Sequence, residues 1–445
     1  MREGSLEAPT RHPLAWKDAE FYDETALDSE LRRVFDICHG CRRCFNLCDS
    51  FPRLFDLIAA AGEVELAAVS SKDFRPLVEA CTLCDMCYMT KCPYVPPHAF
   101  NLDFPHLMLR YRAVQFRKGE VGMVERQLTN TDRNGRLGGM MAPLAKVATA
   151  TGNPLTRPLM EKIAGVHREA PLPRYHGKTL MARAKDHPPE INRTAPGFGR
   201  KAVIFATCFA NYNQPEIGEA TLAVLARNGV DTTMVYPGCC GMPQLEHGDL
   251  ASVAAKAARI SAELVGWINR GYSVLTLVAS CTLMMKSEWP LLLPEDANVR
   301  KLSQAVWEVS EYVVDIARTE GLAEGLKPLE GGVAVHLACH ARAQNVGPKA
   351  AEMLRLIPDT EVTVIERCSG HGGTWGIKTE NHPIAHKIGK PTAQQIARSG
   401  KHHLASECPL AGMHLTDALT RLGPDKPDIP PAQHPIELLA RAYGR

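Results

Sequence analysis

"KAVIFATCFANYNQPEIGEATLAVLARNGVDTTMVYPGCCGMP", residues 201 to 243, decides the fold. Two short apolar runs, AVIFA and TTMVY, flank EATLAVLARNG, whose apolar residues recur at helical spacing. That order predicts a strand, helix, strand unit of a parallel sheet. A second helix-like stretch, ASVAAKAARISAELVGWINRG, leads to YSVLTLVASCTLMM at 272 to 285, read as a buried strand and the loop after it. Cysteine follows each strand: Cys208, then Cys239 with Cys240, then Cys281. In open α/β sheets ligands gather outside the carboxyl ends of the strands. Loops there lead into helix N-termini, whose free N–H groups and dipoles favour an anionic, thiolate-bound group.

The chain then repeats itself. "GVAVHLACHARAQNVGPKAAEMLRLIPDTEVTVIERCSGHGGTWG" at 332 to 376 and "HHLASECPLAGMH" at 402 to 414 set Cys339, Cys368 and Cys408 against Cys208, Cys239 and Cys281. The intervals are 31 and 42 residues in the first copy and 29 and 40 in the second. Three features at matched spacing mark an internal duplication. CCG at 239 to 241 becomes CSG at 368 to 370, so Ser369 stands where a thiolate stands in the first copy. The first copy keeps four thiolates, enough for a metal cluster, and the second keeps three. His336, His340 and His371 lie near the second set. An imidazole can replace a thiolate or carry a proton, and a loop histidine can equally serve by bonding to backbone. His371 is the candidate that joins Cys339, Cys368 and Cys408 at this metal site, whose occupancy the residues leave open. The glycines of GHGG suit either close approach to a bulky group or a tight turn.

Upstream, eight of the fifteen cysteines fall between Cys38 and Cys92. Cys38, Cys41, Cys44 and Cys48 form CxxCxxCxxxC; Cys81, Cys84, Cys87 and Cys92 form CxxCxxCxxxxC. Three thiolates at two-residue gaps wrap three corners of a cuboidal cluster from a short loop, and the fourth, at the start of the next helix, serves the other cluster. The expected ligand sets are Cys38, Cys41, Cys44 and Cys92 for one 4Fe–4S cluster, and Cys81, Cys84, Cys87 and Cys48 for the second. Asp49 stands where the bacterial run has proline, and the second run has one residue more before its last cysteine. FPRLFDLIAA and DFRPLVEA between the runs carry helical spacing, which favours an α-helical ferredoxin-type domain. Paired structural zinc sites are the other reading of eight cysteines, although zinc typically pairs CxxC with a distant CxxC.

At 445 residues, 45% hydrophobic and 22% charged, the chain reads as globular and multidomain. A formal net charge of +2 does not by itself imply nucleic acid or membrane. The polar opening MREGSLEAPTRHPLAWKDAEFYDET shows no signal peptide, and no apolar passage reaches the roughly 20 residues of a spanning helix. An odd cysteine total in dense clusters suggests metal ligation in the cytoplasm rather than disulfides.

These motifs carry a resemblance. The repeated half resembles the cysteine-rich CCG domain found in the B subunit of heterodisulfide reductase and its relatives. The order of parts, with CFANYNQPEIGEA, CCGMP, SCTLMMKSEWP and CSGHGGTWG, is similar over residues 35 to 445 to the C-subunit family of anaerobic glycerol-3-phosphate dehydrogenases. The full CCG pattern ends in CxxC; here VASC (278–281) and ASEC (405–408) lack its first cysteine, which puts a disulfide-cleaving noncubane cluster in doubt. The expected fold is multidomain: an N-terminal α-helical ferredoxin-type domain (1–100), a basic helical and loop linker (101–200), and two α/β CCG subdomains with parallel sheets (201–325 and the degenerate 326–445).

Residues 101 to 201 hold 18 Lys and Arg against 8 Asp and Glu. One reading is a basic face for anionic lipid or an acidic redox partner; the other is a helical linker packed against both domains, which the lack of a clean one-sided apolar face favours. No GxGxxG nucleotide motif occurs. The expected function is an iron–sulfur electron-transfer subunit: two 4Fe–4S clusters in residues 38–92 and a further iron–sulfur cluster at the first CCG motif relay electrons. A partner, a flavin dehydrogenase or other oxidoreductase subunit, performs the substrate chemistry. The resemblance adds a quinone acceptor and a peripheral place on the inner face of the cell membrane. Two alternatives remain: a reductase acting on a thiol, disulfide or quinone at the CCG site, and a zinc-stabilised scaffold.

Overall fold

The computed structural model describes residues 9–60, 66–423 and 428–445; the first eight residues of the opening segment lie outside them. Two parallel sheets organise the C-terminal part. The first orders its strands β2-β1-β3-β4, with β1 Lys201–Phe205, β2 Asp231–Val235, β3 Ser273–Thr276 and β4 Val306–Glu308. The second orders β6-β5-β7, with β5 Val333–His336, β6 Val362–Ile365 and β7 His403–Ser406. The duplicated sequence thus folds into a duplicated strand order, and β4 is an addition to the first copy.

Register explains why distant cysteines meet. Phe205 lies opposite both Val235 and Thr276, and His336 opposite both Ile365 and Ser406. The strands of each copy end level, so the loops bearing the cysteines leave from one edge. The central strands are apolar and buried from Ala202 to Phe205 and from Val333 to Val335, as a parallel sheet covered on both faces requires. Helix spacing buries Val253, Ala257, Ile260 and Leu264 of Leu250–Ile268 against the first sheet.

The N-terminal part is helical. Asp23 caps Glu24–Cys41 by accepting from the Ala26 N–H at 2.7 Å. Leu27, Leu31, Val34 and Phe35 of that helix are buried in one core with Phe51, Leu54 and Phe55 of Ser50–Ala60 and with Phe74. Two local expectations are corrected. Cys38 and Cys41 lie on the last turn of a helix rather than in a loop, and the helix stops only at Arg42, whose φ of 52° is left-handed. Cys92 follows a helical turn instead of opening one. Its N–H donates to the Cys87 carbonyl at 2.9 Å, an i to i+5 bond, so a single π turn takes up the extra residue of the second run.

The segment after Asn101 is no loose spacer. Helix Phe104–Arg117 is buried at Phe104, Leu107, Met108, Leu109 and Val114. Arg112 donates to the carbonyls of Val78 and Glu246, each at 2.8 Å, and to that of Cys81. It therefore joins the second cysteine run to the first sheet domain. After β3 the predicted loop is instead a helix, Ala279–Leu283, that runs on into a π turn.

Candidate metal centres

Around the first N-terminal site, burial raises the Cys38 thiol, and Cys92, Cys44 and Cys41 add to the shift. Cys44 is pushed up to about 12 by burial, then by Cys92 and Cys41. Around the second, burial and then Cys84 and Cys81 raise Cys48, and burial with Cys84, Cys81 and Cys48 raises Cys87. The chain fold therefore gathers Cys38, Cys41, Cys44 and Cys92 in one place and Cys48, Cys81, Cys84 and Cys87 in another. Cys92, the last of the second run, thus lies with the first three, and Cys48, the last of the first run, with the second three. Backbone N–H groups aim at the sulfurs: Ser50 and Phe51 at Cys48, Leu83 at Cys81, Met86 at Cys84, Tyr94 and Val95 at Cys92. Leu83 and Asp85 take left-handed φ of 48° and 60°, the kind of turn that points successive N–H groups at an anion.

The four thiols of the first CCG copy converge. Cys240 Sγ lies 3.2 Å from Cys281 Sγ, and Cys208 is within hydrogen-bonding reach of Cys239. Hydrogen bonds from Cys208 and Cys240 pull the Cys239 thiol well below its ordinary range, against the desolvation, with Lys256 and Thr131 assisting. The linker supplies part of this wall: Asp132 Oδ2 accepts from the Cys239 N–H at 3.1 Å and Tyr236 donates its hydroxyl to the same carboxylate. No sequence pattern marks Thr131, Asp132 or Tyr236 as part of the site. The first two reach it from a separate helix, Thr131–Met140, and Tyr236 directly follows β2.

In the second copy Cys339 is raised by burial and by Cys84, Cys368 and Cys408. Cys84 belongs to the second N-terminal set, so these two sets are neighbours. Cys368 keeps exposed surface, and desolvation by the surrounding protein still raises its thiol. The matched glycines do the same work in both copies. Gly241 (φ 92°) and Gly370 (φ 83°) are left-handed, and their N–H groups donate to Cys239 Sγ and Cys368 Sγ, each at 3.4 Å. Ser369 is buried in the place of Cys240. Gly372 packs where a Cβ would lie 2.7 Å from Thr82, between Cys81 and Cys84, so the GHGG loop seats against the second N-terminal run.

The three histidines separate. His336 is bonded at both nitrogens, to Ser406 Oγ and the Arg367 carbonyl, each at 3.0 Å, and burial lowers it to about 4. His340 bridges Ser280 Oγ at 2.8 Å and the Leu83 carbonyl at 3.4 Å. Both are committed to the protein. His371 Nε2 is buried without a partner; its ring lies 6.3 Å from that of His414 and lines a small hollow with Leu410 and Met413.

The donor sets fit iron–sulfur clusters. Buried thiols set this close together ionise jointly around a cationic core, which offsets their mutual repulsion and desolvation, and backbone N–H donors on the sulfurs tune such a core. A cavity of about 310 Å³ opens beside Cys81, walled by Arg112, Glu246, His247, Gly372 and Trp375. Burial raises Glu246 there to about 7 despite Arg112.

The model of the cysteine-rich CCG domain matches this chain twice, at residues 202–286 and 333–416. The C subunit of anaerobic glycerol-3-phosphate dehydrogenase from Escherichia coli K12 is 28% identical over 326 residues, 71% of this chain and 76% of its own length. Lactate utilization protein A of Bacillus pumilus is 29% identical over 237 residues, 51% of this chain and 94% of its own. The B subunit of fumarate reductase (CoM/CoB) from Methanothermobacter marburgensis is 28% identical over 252 residues, 55% of this chain and 47% of its own. No helix among the described residues is long and apolar enough to cross a membrane.

Proposed function

We propose that this chain, which carries two CCG cysteine-rich domains and is similar to the C subunit of an anaerobic glycerol-3-phosphate dehydrogenase, is the electron-relay component of an oxidoreductase complex. Its partner carries out the substrate chemistry. The carrying observation is the row made by the cysteine sets. Cys44 is among the charges acting on Cys87, Cys84 is among those acting on Cys339, and His340 next to Cys339 hydrogen-bonds Ser280 next to Cys281. A 4Fe–4S cluster exchanges one electron at a time, and neighbouring sets allow electrons to pass in sequence. The residues to hold these clusters are Cys38, Cys41, Cys44 and Cys92; Cys48, Cys81, Cys84 and Cys87; and Cys208, Cys239, Cys240 and Cys281. Cys339, Cys368 and Cys408 form an altered fourth site with three thiolates; His371, three residues after Cys368, keeps a buried nitrogen without a partner. The protein's part is to exclude water and to present N–H groups to sulfur, which sets the potentials.

A docking role for the linker is supported by exposed Met123, Met140, Leu144, Val147, Leu155 and Ile163. Exposed apolar side chains interleaved with basic residues along the segment suit a partner protein or an anionic membrane surface. The basic helix Phe104–Arg117 takes no part, because Arg110 and Arg112 are bonded to carbonyls inside the protein.

A second reading, a reductase in its own right, draws on the cavity beside Cys81 and on the proton that Glu246 holds near neutral pH. One set of measurements separates these. Anaerobically purified protein is expected to contain iron and acid-labile sulfide, and Cys48→Ser is expected to erase the EPR signal of the cluster at Cys81, Cys84 and Cys87. Loss of only the Cys38, Cys41, Cys44 signal would refute the crossed ligation, and zinc without sulfide would refute the relay. Turnover of a quinone or disulfide by the chemically reduced chain alone would favour the reductase.

A further inference from the structure

Behind the altered site stand groups that the relay does not use. His382 and His386 lie one turn apart on helix His382–Arg398, and Asp417 faces them from helix Pro409–Thr420. His386 Nε2 is 3.1 Å from His382 Nε2 and 3.2 Å from Asp417 Oδ2, and the three atoms all lie within 4.8 Å of one another. An imidazole nitrogen carries one hydrogen at most, directed along one line, so hydrogen bonding satisfies only one of these two contacts well. A shared cation satisfies both. In a tetrahedron of nitrogen and oxygen ligands about 2.05 Å from zinc, neighbouring ligands are about 3.3 Å apart, close to the two spacings found at His386.

The surroundings hold the three groups in place. His167 stacks on His382 with centroids 4.0 Å apart and planes 10° apart, and His414 stacks on His386 at 4.6 Å and 28°. Arg421 Nε donates to Asp417 Oδ2 at 3.0 Å, orienting the carboxylate from outside as ligating carboxylates commonly are. Paired histidines four apart on a helix with a carboxylate from another element suit zinc or ferrous iron, not calcium or magnesium.

We propose that His382, His386 and Asp417 bind one divalent first-row transition ion, which clamps together the two helices that position Cys368 and Cys408. The mechanical link is direct. Thr392 on the first helix donates to the Cys368 carbonyl at 2.7 Å, and Cys408 is the N-cap of the second. The clamp therefore fixes the separation of two of the three thiolates of the altered site.

The test uses zinc alone, added to the full-length protein after anaerobic purification and dialysis against a mild chelator. One equivalent is expected to bind, with X-ray absorption at the zinc edge showing nitrogen and oxygen neighbours and no sulfur. His382→Ala and Asp417→Asn are each expected to weaken binding at least about tenfold, while His187→Ala, at an exposed histidine outside the three ligands, leaves it within about threefold. Sulfur neighbours around zinc, or equal affinity in wild type and Asp417→Asn, would overturn the proposal. The absorption measurement needs no variant, so it decides the question even where His382→Ala fails to fold.

Discussion

His106 shows how much a single residue ties together. Its ring sits 3.2 Å from Asp103 and 3.1 Å from Glu288, and Arg11 bonds Asp85, Asp103 and Glu288 in the same buried group. Burial and the Arg11 guanidinium oppose a charge on His106; Asp103 and Glu288 overcome both and raise it to about 9. Burial likewise opposes the charges on Asp103 and Glu288, and His106 with Arg11 brings both below the usual carboxylate range. For His106 the folded pKa exceeds the unfolded one, about 6.5. Its stabilisation is complete below that pH and is lost as pH rises through about 9. The carboxylates work oppositely: their contribution is present above about pH 4 and disappears as pH falls through their lowered folded values. Replacing His106 by Gln is expected to cost about 3 kcal/mol at pH 7, because it leaves buried carboxylates short of a cation. Urea unfolding at a series of pH values should show the wild-type advantage shrinking between pH 7 and 10; a constant advantage would contradict the assignment. None of this was legible, since Glu288 lies 182 residues from His106. The cysteines were legible because ligand spacing is set by the size of the cluster, whatever the rest of the chain does.

Helices and turns position the thiolates, and here spacing was read well in outline and less well in detail. The strands after which cysteines fall were legible because fully buried parallel strands need unbroken apolar runs. The helix carrying Cys38 and Cys41 and the π turn before Cys92 were not, because hydrogen-bond register within a turn depends on what packs against it. Helix His382–Arg398 makes the point testable. A Cβ at Gly389 would lie 2.4 Å from the Ser369 carbonyl and 3.3 Å from His414 Nε2. Gly389→Ala is expected to push the CSG loop away and to destabilise by about 1–3 kcal/mol. At Gly40, also within a helix, a Cβ would meet nothing within 4 Å, so Gly40→Ala is expected to stabilise by up to about 1 kcal/mol. Thermal unfolding of the two variants checks both; matched effects of one sign would show that packing at Gly389 is not what matters.

Across the whole molecule, the second N-terminal set lies against the altered CCG set, with Cys84, Cys339 and Met86 gathered around one small apolar cluster. If both sites hold clusters, the reduced protein should show an EPR signal broadened by a neighbouring spin. Cys339→Ser should sharpen it and Cys240→Ser should not; an unbroadened signal in the wild type, with both sites loaded, would place the sets farther apart. This adjacency has no local signature, for it depends on how the GHGG loop seats on Thr82. By itself the sequence determined the number of cysteine sets, the duplicated parallel sheets and the helical N-terminal part, because these follow from ligand spacing, internal repetition and the period of apolar residues. Only the tertiary structure decided that Thr131 and Asp132 wall the first CCG site, that His336 and His340 serve as hydrogen-bonded supports, and that His382, His386 and Asp417 meet. Those contacts join residues far apart in the chain, and close packing of whole domains, not any local pattern, selects them.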